Sequence, residues 1–486
     1  MADNKKKVVN NLFWRFLERC GAQGVTFVVS IVLARLLDPE VYGTIALVTV
    51  ITSIMQVFVD GGMANALIQK KDADDLDFSS VFYFNIVMCV VLYALMYAAA
   101  PFIAVFYEIP ELTPIVRVLS LVLVFSGIKN VQQAYVSRKM LFKRFFFSTL
   151  GGTIGAAVVG VGMAYAGFGV WALVAQEIVN VATGTLVLWV TVKWRPKLMF
   201  SWSRLKGLLS YGWKLLAAKL IDTVYNDLRQ LIIGKLYSSA DLAYYNKGRQ
   251  FPHLIVTNIN TSIDSVLLPT MSDAQDQMSR VRGMTRRAIK VSTYLMMPMM
   301  MGLAVCAEPL IRILLTEKWL PCVLFMRILC ITYSFRPVQT ANLNAIKALG
   351  RSDLFLKLEI IKKTIGMVAL LATMWISVEA LAYSLLFTSL ASQIVNSWPN
   401  KKLLGYSYIN QVKDMLPQIL LTCVMGFVVS LLGKLPVSDW LMLLIQVPAG
   451  IAVYVVGSVI MKIDSFQYVL GIIKSYGRKV AGKKGK

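Results

Sequence analysis

Charged side chains are scarce in this sequence. They make up 16% of its 486 residues, whereas hydrophobic side chains make up 57%. Soluble domains contain about 25% charged residues and about 45 to 50% apolar residues, and the mean hydropathy of this chain is +0.64. The composition excludes an ordinary soluble domain. It predicts an all-α polytopic membrane protein that has the lipid bilayer as its surroundings.

Acidic residues are outnumbered by basic ones. The chain has 26 Asp and Glu against 50 Lys and Arg, which gives a formal net charge of +24. A nucleic-acid-binding domain gathers its basic residues on one face or in one region. Here the Lys and Arg lie mostly in short segments between apolar runs. We therefore expect no nucleic-acid partner.

Residue patterns typical of metal, disulfide and nucleotide sites are also lacking. His253 is the only histidine, the six cysteines have no CxxC spacing, and no Walker loop occurs. The GxGxxA match at 167–172 falls in a turn between apolar segments with no strand before it, which argues against a dinucleotide site. The sequence therefore predicts no enzyme, no metal site and no cofactor. We expect the cysteines to be small core residues.

Apolar segments of bilayer length recur along the whole chain. A window of about 20 residues predicts about 14 transmembrane helices, centred near residues 27, 55, 90, 125, 156, 181, 224, 256, 300, 333, 365, 388, 423 and 450. Basic and acidic loops alternate between them, as the positive-inside rule requires. No cleavable signal is evident, and we expect both termini in the cytoplasm.

The chain repeats itself faintly. A shift of 200 residues lays Arg19 on Lys219 and 31–36 on 231–236, and a shift of 207 lays Val131 on Val338. Each repeat holds six predicted helices, so both repeats begin on the same side of the membrane, which indicates a parallel duplication. The predicted organisation is two pseudo-symmetric six-helix lobes, 1–200 and 201–402, followed by two C-terminal helices in 403–464 and a basic cytoplasmic tail in 465–486.

Two neighbouring membrane segments, within 211–264, carry many ionisable residues. A charge near the middle of a membrane helix costs about 2.5 to 3.5 kcal/mol, so such residues normally face a bundle interior or a water-filled path. At 100° per residue they form one stripe on each helix. The stripes are Lys219, Asp222, Asn226 and Arg229 on the first helix, and Arg249, His253, Asn260 and Asp264 on the second. They indicate a polar, net basic chamber.

Three motifs resemble those of a known family. They are ARLLDPEVYG at 34–43, GFGVWAL at 167–173, and YYNK at 244–247 with Leu268-Pro269. The chain resembles the polysaccharide transport family, the O-antigen and colanic-acid type flippases, within the multidrug/oligosaccharidyl-lipid/polysaccharide exporter superfamily. The resemblance covers nearly the whole chain. Its motifs mark a fold more than a particular sugar.

The resemblance implies a function and a set of partners. The expected cargo is an oligosaccharide linked to undecaprenyl pyrophosphate, which crosses the bacterial inner membrane by alternating access. The cavity would be lined by helices 1, 2, 7 and 8. Polysaccharide polymerase and export machinery are the implied protein partners. Acidic residues within the membrane segments, taken separately from the resemblance, are candidates for coupling transport to H⁺ or Na⁺.

Candidate site residues follow from the stripes and the repeat. The expected substrate-binding residues of the cavity are Arg15, Arg19, Lys219, Arg229, Lys247, Arg249 and His253. The candidates for ion coupling are Asp60, Glu177, Asp222, Asp227 and Asp264. Simpler readings remain: Arg15 and Lys214 could snorkel to the interface, and Lys219 and Arg229 could neutralise neighbouring acids. The acids could likewise serve helix packing alone.

Two other functions stay open. An exporter of cationic drugs with the same superfamily fold would need an acidic or aromatic chamber, whereas this one has excess Lys and Arg. A membrane-embedded glycosyl or acyl transferase would need a catalytic cluster at a membrane face. The Asp72-Ala73-Asp74-Asp75 run is similar to a transferase metal motif, but its loop is too short to hold that domain. We interpret the run as a solvated acidic loop.

Overall fold

The computed structural model describes Trp14, residues 21–70 and residues 72–481. All regular secondary structure in these ranges is helical, as the sequence predicts. The chain divides into two compact units, Met1–Ala243 and Tyr244–Lys486. The predicted lobe boundary near residue 200 precedes this division by one long helix.

The first unit is built from nine helices in the described ranges, and a tenth helix begins at its end. Helix α1 is described over 21–36, and the others are α2 (Pro39–Asp60), α3 (Met63–Gln69), α4 (Asp75–Tyr107), α5 (Leu112–Leu119), α6 (Leu121–Arg138), α7 (Phe142–Tyr165), α8 (Val170–Thr191) and α9 (Trp202–Leu236). Helix α10 (Ser239–Ser272) begins in this unit and continues into the second.

The second unit contains the remaining helices. They are α11 (Met278–Val305), α12 (Ala307–Leu315), α13 (Cys322–Ser334), α14 (Arg336–Ala348), α15 (Ser352–Thr373), α16 (Val378–Leu404), α17 (Tyr408–Leu432), α18 (Asp439–Ile460) and α19 (Asp464–Ala481), with a short 3₁₀ turn at Glu317–Trp319. Phe335 separates α13 from α14, so the segment centred near 333 is interrupted.

The protein is a multi-pass membrane protein. Nine helical segments of the described residues are long and apolar enough to cross a bilayer. The predicted centres near 27, 224, 256, 333 and 365 also lie in helices, but these are shorter or more polar. The count of 14 spans therefore stays a prediction. The five weaker segments include α9 and α10, which carry the ionisable stripes.

Both units contain the same pair of hydrogen bonds. In each unit the two donors are side chains four residues apart on one helix. The two acceptors are backbone carbonyls three residues apart, on another helix or at the end of that helix. The bonds are Thr185 to Phe125 (3.3 Å) and Trp189 to Ile128 (3.4 Å) in the first unit, and Ser389 to Thr332 (3.0 Å) and Gln393 to Phe335 (2.7 Å) in the second. The acceptors are related by the shift of 207 residues found in the sequence.

The segment at 192–201, which joins α8 to α9, is held against the start of α4. Lys197 pairs with Asp75 at 2.6 Å, and Arg204 in the first turn of α9 pairs with Asp74 at 2.6 Å. Asp74 also caps α4, because its side chain accepts from the backbone N–H of Asp77 in a reciprocal capping box. The acidic loop is thus a clamp for this segment, and it is also solvated as the sequence predicts, since the side chains of Asp74 and Asp75 are 51% and 45% exposed.

Candidate functional site

Helices α2 and α9 pack against each other along most of their length, and we call this contact the α2–α9 seam. Near one end, a Cβ added to Gly43 would lie 2.8 Å from the Cα of Ser239, which begins α10. At the other end, a Cβ added to Gly62 would lie 2.9 Å from the Cα of Gly212. Since a side chain would meet backbone at either position, glycine permits this close approach.

Polar side chains fill the middle of the α2–α9 seam. Lys219 forms an ion pair with Asp60, whose other carboxylate oxygen accepts from Gln56 at 3.2 Å. About two turns further along α9, Asp227 accepts from Ser53 of α2 at 3.1 Å. Two acids of the predicted ion-coupling set therefore lie in this seam, next to a predicted phosphate-binding lysine.

The remaining ionisable residues of α9 differ in exposure. Asp222 is exposed and accepts from Asn226 at 3.1 Å. Arg229 is only 8% exposed, so its guanidinium lies inside the first unit. The predicted stripe therefore has an accessible part, Lys219 to Asn226, and a buried part at Arg229.

Lys247 of α10 is a buried cation. It is 6% exposed, and its Nζ lies 5.6 Å from the ring centroid of Trp319. An ammonium over an indole face is attracted by the ring quadrupole. This contact gives Lys247 a packing role in the second unit.

Further along α10 the polar side chains become accessible. Arg249 is half-buried and His253 is exposed, with the imidazole edge-on to Tyr333 at 6.2 Å between ring centroids. Asn260 accepts from Thr340 of α14 at 2.8 Å. Asp264 is exposed. Imidazole, guanidinium and carboxylate groups thus line one stretch of this helix.

Arg336 is a further candidate that the sequence analysis missed. It opens α14, its guanidinium carbon lies 5.8 Å from the ring centroid of Tyr333, and it interacts electrostatically with His253. The 207-residue shift provides the signal that could have found it, because this shift places Lys129 on Arg336. Lys129 in turn interacts with Glu177, the ion-coupling candidate of α8.

The structure brings the predicted residues together in two groups. Asp60 and Lys219 pair in the first unit with Asp227 about two turns further along the same seam, and Arg249 and His253 lie on one helix of the second. Arg15 and Arg19 lie outside the described residues. Across 21–70 and 72–481, no group of three or more His, Cys, Asp or Glu side chains is arranged to hold a metal ion.

Comparison with known proteins identifies a family. The family model described as "Polysaccharide biosynthesis protein" matches residues 32–324. The succinoglycan biosynthesis transport protein ExoT of Rhizobium meliloti (strain 1021) is 25% identical over 65% of this chain and 64% of its own length. The teichuronic acid biosynthesis protein TuaB of Bacillus subtilis (strain 168) is 28% identical over 62% and 63%, respectively. The chain thus spans slightly less than two thirds of these two relatives.

A third relative and two solved structures extend the comparison. The lipopolysaccharide biosynthesis protein WzxC of Escherichia coli (strain K12) is 24% identical over 74% of this chain and 73% of its own. The lipid II flippase MurJ in an inward closed conformation matches with a TM-score of 0.75 at 14% identity, over 93% of this chain and 98% of that one. An inward-facing MATE multidrug transporter matches with a TM-score of 0.65 at 12% identity, over 78% and 94%. At these identities the structures show a shared fold.

Proposed function

The chain belongs to the polysaccharide biosynthesis protein family, and from this membership we propose that it is a flippase for a lipid-linked oligosaccharide. The cargo would be carried on undecaprenyl pyrophosphate and cross the bacterial inner membrane. The names of ExoT and WzxC place these relatives in the transport or synthesis of surface polysaccharides, and the fold is shared with a lipid flippase. Such transport breaks no bond in the cargo, so the protein is not an enzyme.

Accessible charge on α9 and α10, two of the predicted membrane helices, is the observation that carries this proposal. Lys219 is exposed on α9, Arg249 is half-buried on α10, and His253 is exposed one turn further on. A pyrophosphate and a glycan cannot enter hydrocarbon, whereas a polyprenyl tail can stay in it. Basic side chains satisfy the phosphate oxygens, Arg through a bidentate fork and Lys as a point charge.

The assignment of roles follows the exposure of each side chain. We propose Lys219 and Arg249 as phosphate contacts, with Arg15 and Arg19 contributed by the first predicted helix. Arg229 and Lys247 are buried, so we propose that they support the site from within the packed helices. The acids Asp60, Glu177, Asp222, Asp227 and Asp264 remain the candidates for coupling to H⁺ or Na⁺.

The transport cycle we propose is alternating access by two lobes of six helices, 1–200 and 201–402. The repeated hydrogen-bond pair supports an origin by duplication, since it occurs once in each unit. The helices in 403–464 would be accessory and lipid-facing, and both termini would lie in the cytoplasm with the basic tail at 465–486. Polysaccharide polymerase would then act on the cargo after transport.

Vesicles that contain the purified protein test the proposal directly. A fluorescent oligosaccharide on undecaprenyl pyrophosphate should become accessible to a membrane-impermeant quencher faster than in protein-free vesicles. A cationic dye in parallel vesicles tests the alternative of an ion-coupled drug exporter, which the MATE-like fold would also permit. Movement of the dye without movement of the lipid-linked sugar would replace our proposal with that alternative.

A further inference from the structure

We propose that Asp60 competes with the phosphate of the substrate for Lys219, so that the substrate binds this lysine only as the carboxylate leaves it. The inference rests on the proposed function, because it assumes an anionic cargo. It assigns Asp60 a role in anion selectivity, beside the ion-coupling role for which it is a candidate. The evidence lies in the exposure and the contacts of the ion pair.

The ion pairs of this protein differ in how easily they can exchange partners. Asp77 pairs with Lys70 at 2.7 Å and is fully buried, and Asp414 receives two hydrogen bonds from Arg286 with only 9% of its side chain exposed. Removing a partner from such a carboxylate leaves a buried charge uncompensated. These pairs are therefore structural and hold their partners.

Lys219 and Asp60 form a pair of the opposite kind. Their side chains are 54% and 37% exposed, and exposed ion pairs contribute little to stability because water solvates both separated partners. Asp60 is the last residue of α2. The Lys219–Asp60 pair lies in the α2–α9 seam, between two helices expected to line the transport path.

The contacts of Asp60 show how the exchange would proceed. One carboxylate oxygen binds Lys219, and the other accepts from Gln56 one turn earlier on α2. An ammonium has three donors, so a phosphate oxygen can bind Lys219 beside the carboxylate before it replaces it. A pyrophosphate carries more negative charge than a carboxylate and would win the exchange, while Gln56 keeps hold of Asp60 as a positioning residue.

Replacement of Asp60 by a phosphate at Lys219 would change the α2–α9 seam at one position along its length. Once Asp60 leaves Lys219, the charged tie between the helices at this position is lost. The Ser53–Asp227 hydrogen bond and the close contact of Gly62 with Gly212 remain. Substrate binding would therefore remove one weak tie between α2 and α9 and leave the other contacts of the seam in place.

Binding of inorganic pyrophosphate to the full-length protein in detergent tests the inference. Titration calorimetry at low ionic strength would compare wild type, Asp60→Asn, Lys219→Ala and the double variant. We expect Asp60→Asn to lower the Kd two- to fivefold, where fivefold corresponds to about 1 kcal/mol. Lys219→Ala should raise the Kd, and Asp60→Asn should have no effect in the Lys219→Ala background because nothing is left to compete for.

Asp222→Asn is the matched control for long-range electrostatics. It removes the same charge three residues from Lys219, at a carboxylate that accepts a hydrogen bond from Asn226 at 3.1 Å. An equal gain in Asp222→Asn, or a gain from Asp60→Asn that persists without Lys219, would overturn direct competition. Size-exclusion profiles and a Lys219→Arg variant, which should keep binding, separate loss of the site from misfolding.

The inference and the proposed function can fail separately. If the protein flips the lipid-linked sugar in vesicles but does not bind pyrophosphate at millimolar pyrophosphate, the competition is overturned and the proposed function stands. If Asp60 and pyrophosphate compete for Lys219 but the protein moves no lipid-linked sugar, the flippase function is overturned and the anion site stands.

Discussion

Asp414 is a buried carboxylate with three hydrogen bonds. Arg286 donates two of them at 2.7 and 2.6 Å, and the hydroxyl of Tyr406 donates the third at 2.8 Å. Arg286→Ala would leave this carboxylate with one donor inside the second unit. We expect a loss of about 3 kcal/mol of unfolding free energy, at the lower end for broken buried pairs because the arginine itself reaches water. Thermal unfolding in detergent would measure it.

The neighbouring Arg287 provides the control for Arg286. Its guanidinium carbon lies 5.3 Å from the ring centroid of Tyr468 and it is exposed, so Arg287→Ala should cost no more than about 1 kcal/mol. The double variant Arg286→Ala with Asp414→Ala should recover part of the lost stability. Equal melting temperatures for the two arginine variants would contradict the structural role of the pair.

The aligned cations Arg19 and Lys219 are expected to be essential for transport. Replacing either with Ala should leave the protein in the membrane but abolish surface polysaccharide in a complementation assay, since each removes a proposed phosphate contact. Lys214→Ala is the control, because Lys214 is an exposed cation on the same helix without a proposed contact. Normal polymer from the double Arg19→Ala, Lys219→Ala variant would exclude their role in phosphate binding.

Periodicity predicted which α9 residues share a face, but it could not predict what that face meets. The acids nearest to Lys219 along its own helix are Asp222 and Asp227, whereas its partner in the structure is Asp60 on α2. Such a pairing depends on which helices become neighbours. Arg336 was missed because hydropathy averaged over 20 residues hides a single arginine within an apolar segment. The same average does not show the break between α13 and α14 at Phe335.

The clamp between α4 and the segment at 192–201 makes a prediction for the elements that it joins. Asp74→Ala removes both the cap of α4 and the partner of Arg204, and loss of a cap costs about 1 kcal/mol. Amide hydrogen exchange in 192–204 should therefore become about fivefold faster. Asp72→Ala, in the same loop and exposed, should leave the exchange unchanged. An equal effect of both variants would mean that the loop charge, and not the clamp, holds the segment.

The same clamp should weaken in acid. The hydrogen bond from Arg204 holds the pKa of Asp74 below its ordinary value, so the carboxylate favours the folded state above its unfolded pKa of about 3.9. This contribution is lost as the pH falls from about 4 through the lower folded pKa. Relative to the intrinsic exchange rate at each pH, exchange in 192–204 should rise over that range in wild type and rise less in Asp74→Asn, in which only the Lys197–Asp75 pair remains.

Helix positions were predictable because the signal for them is local. Every predicted centre lies in a helix, since about 20 apolar residues in a bilayer can satisfy their backbone only in this way or in a barrel. The clamp was not predictable from the same signal. Asp74 and Arg204 are 130 residues apart, and neither residue type nor spacing indicates that they meet.

The membrane topology of the whole chain is predicted from the charges of its loops. Single cysteines at Glu40, Glu108 and Glu379 should react with an impermeant maleimide in intact cells, while those at Lys71, Arg195 and Lys401 should not, because basic loops stay in the cytoplasm. The native Cys423, which is exposed on α17, would first be replaced by Ser. Outside labelling at Lys401 would show that the number of spans in the second half was miscounted.

The proposed opening and closing of the transport path can be tested by crosslinking. The starts of α2 and α10 lie close together, since Gly43 lies against the backbone of Ser239. Cysteines at Pro39, one turn before Gly43, and at Ser239 should form a disulfide that stops transport until it is reduced. If they crosslink in high yield and transport is undiminished, this side of the molecule need not open.

The paired hydrogen bonds of the two units have a consequence for the history of the gene. Their acceptors are backbone carbonyls at Phe125, Ile128, Thr332 and Phe335. Any residue provides such a carbonyl, so mutation can erase all identity there without loss of the bond. Only the donors are under chemical constraint, and they are a threonine and a tryptophan in one unit and a serine and a glutamine in the other. A duplication such as the sequence predicts would therefore be traced by the spacing of donors rather than by residue identity.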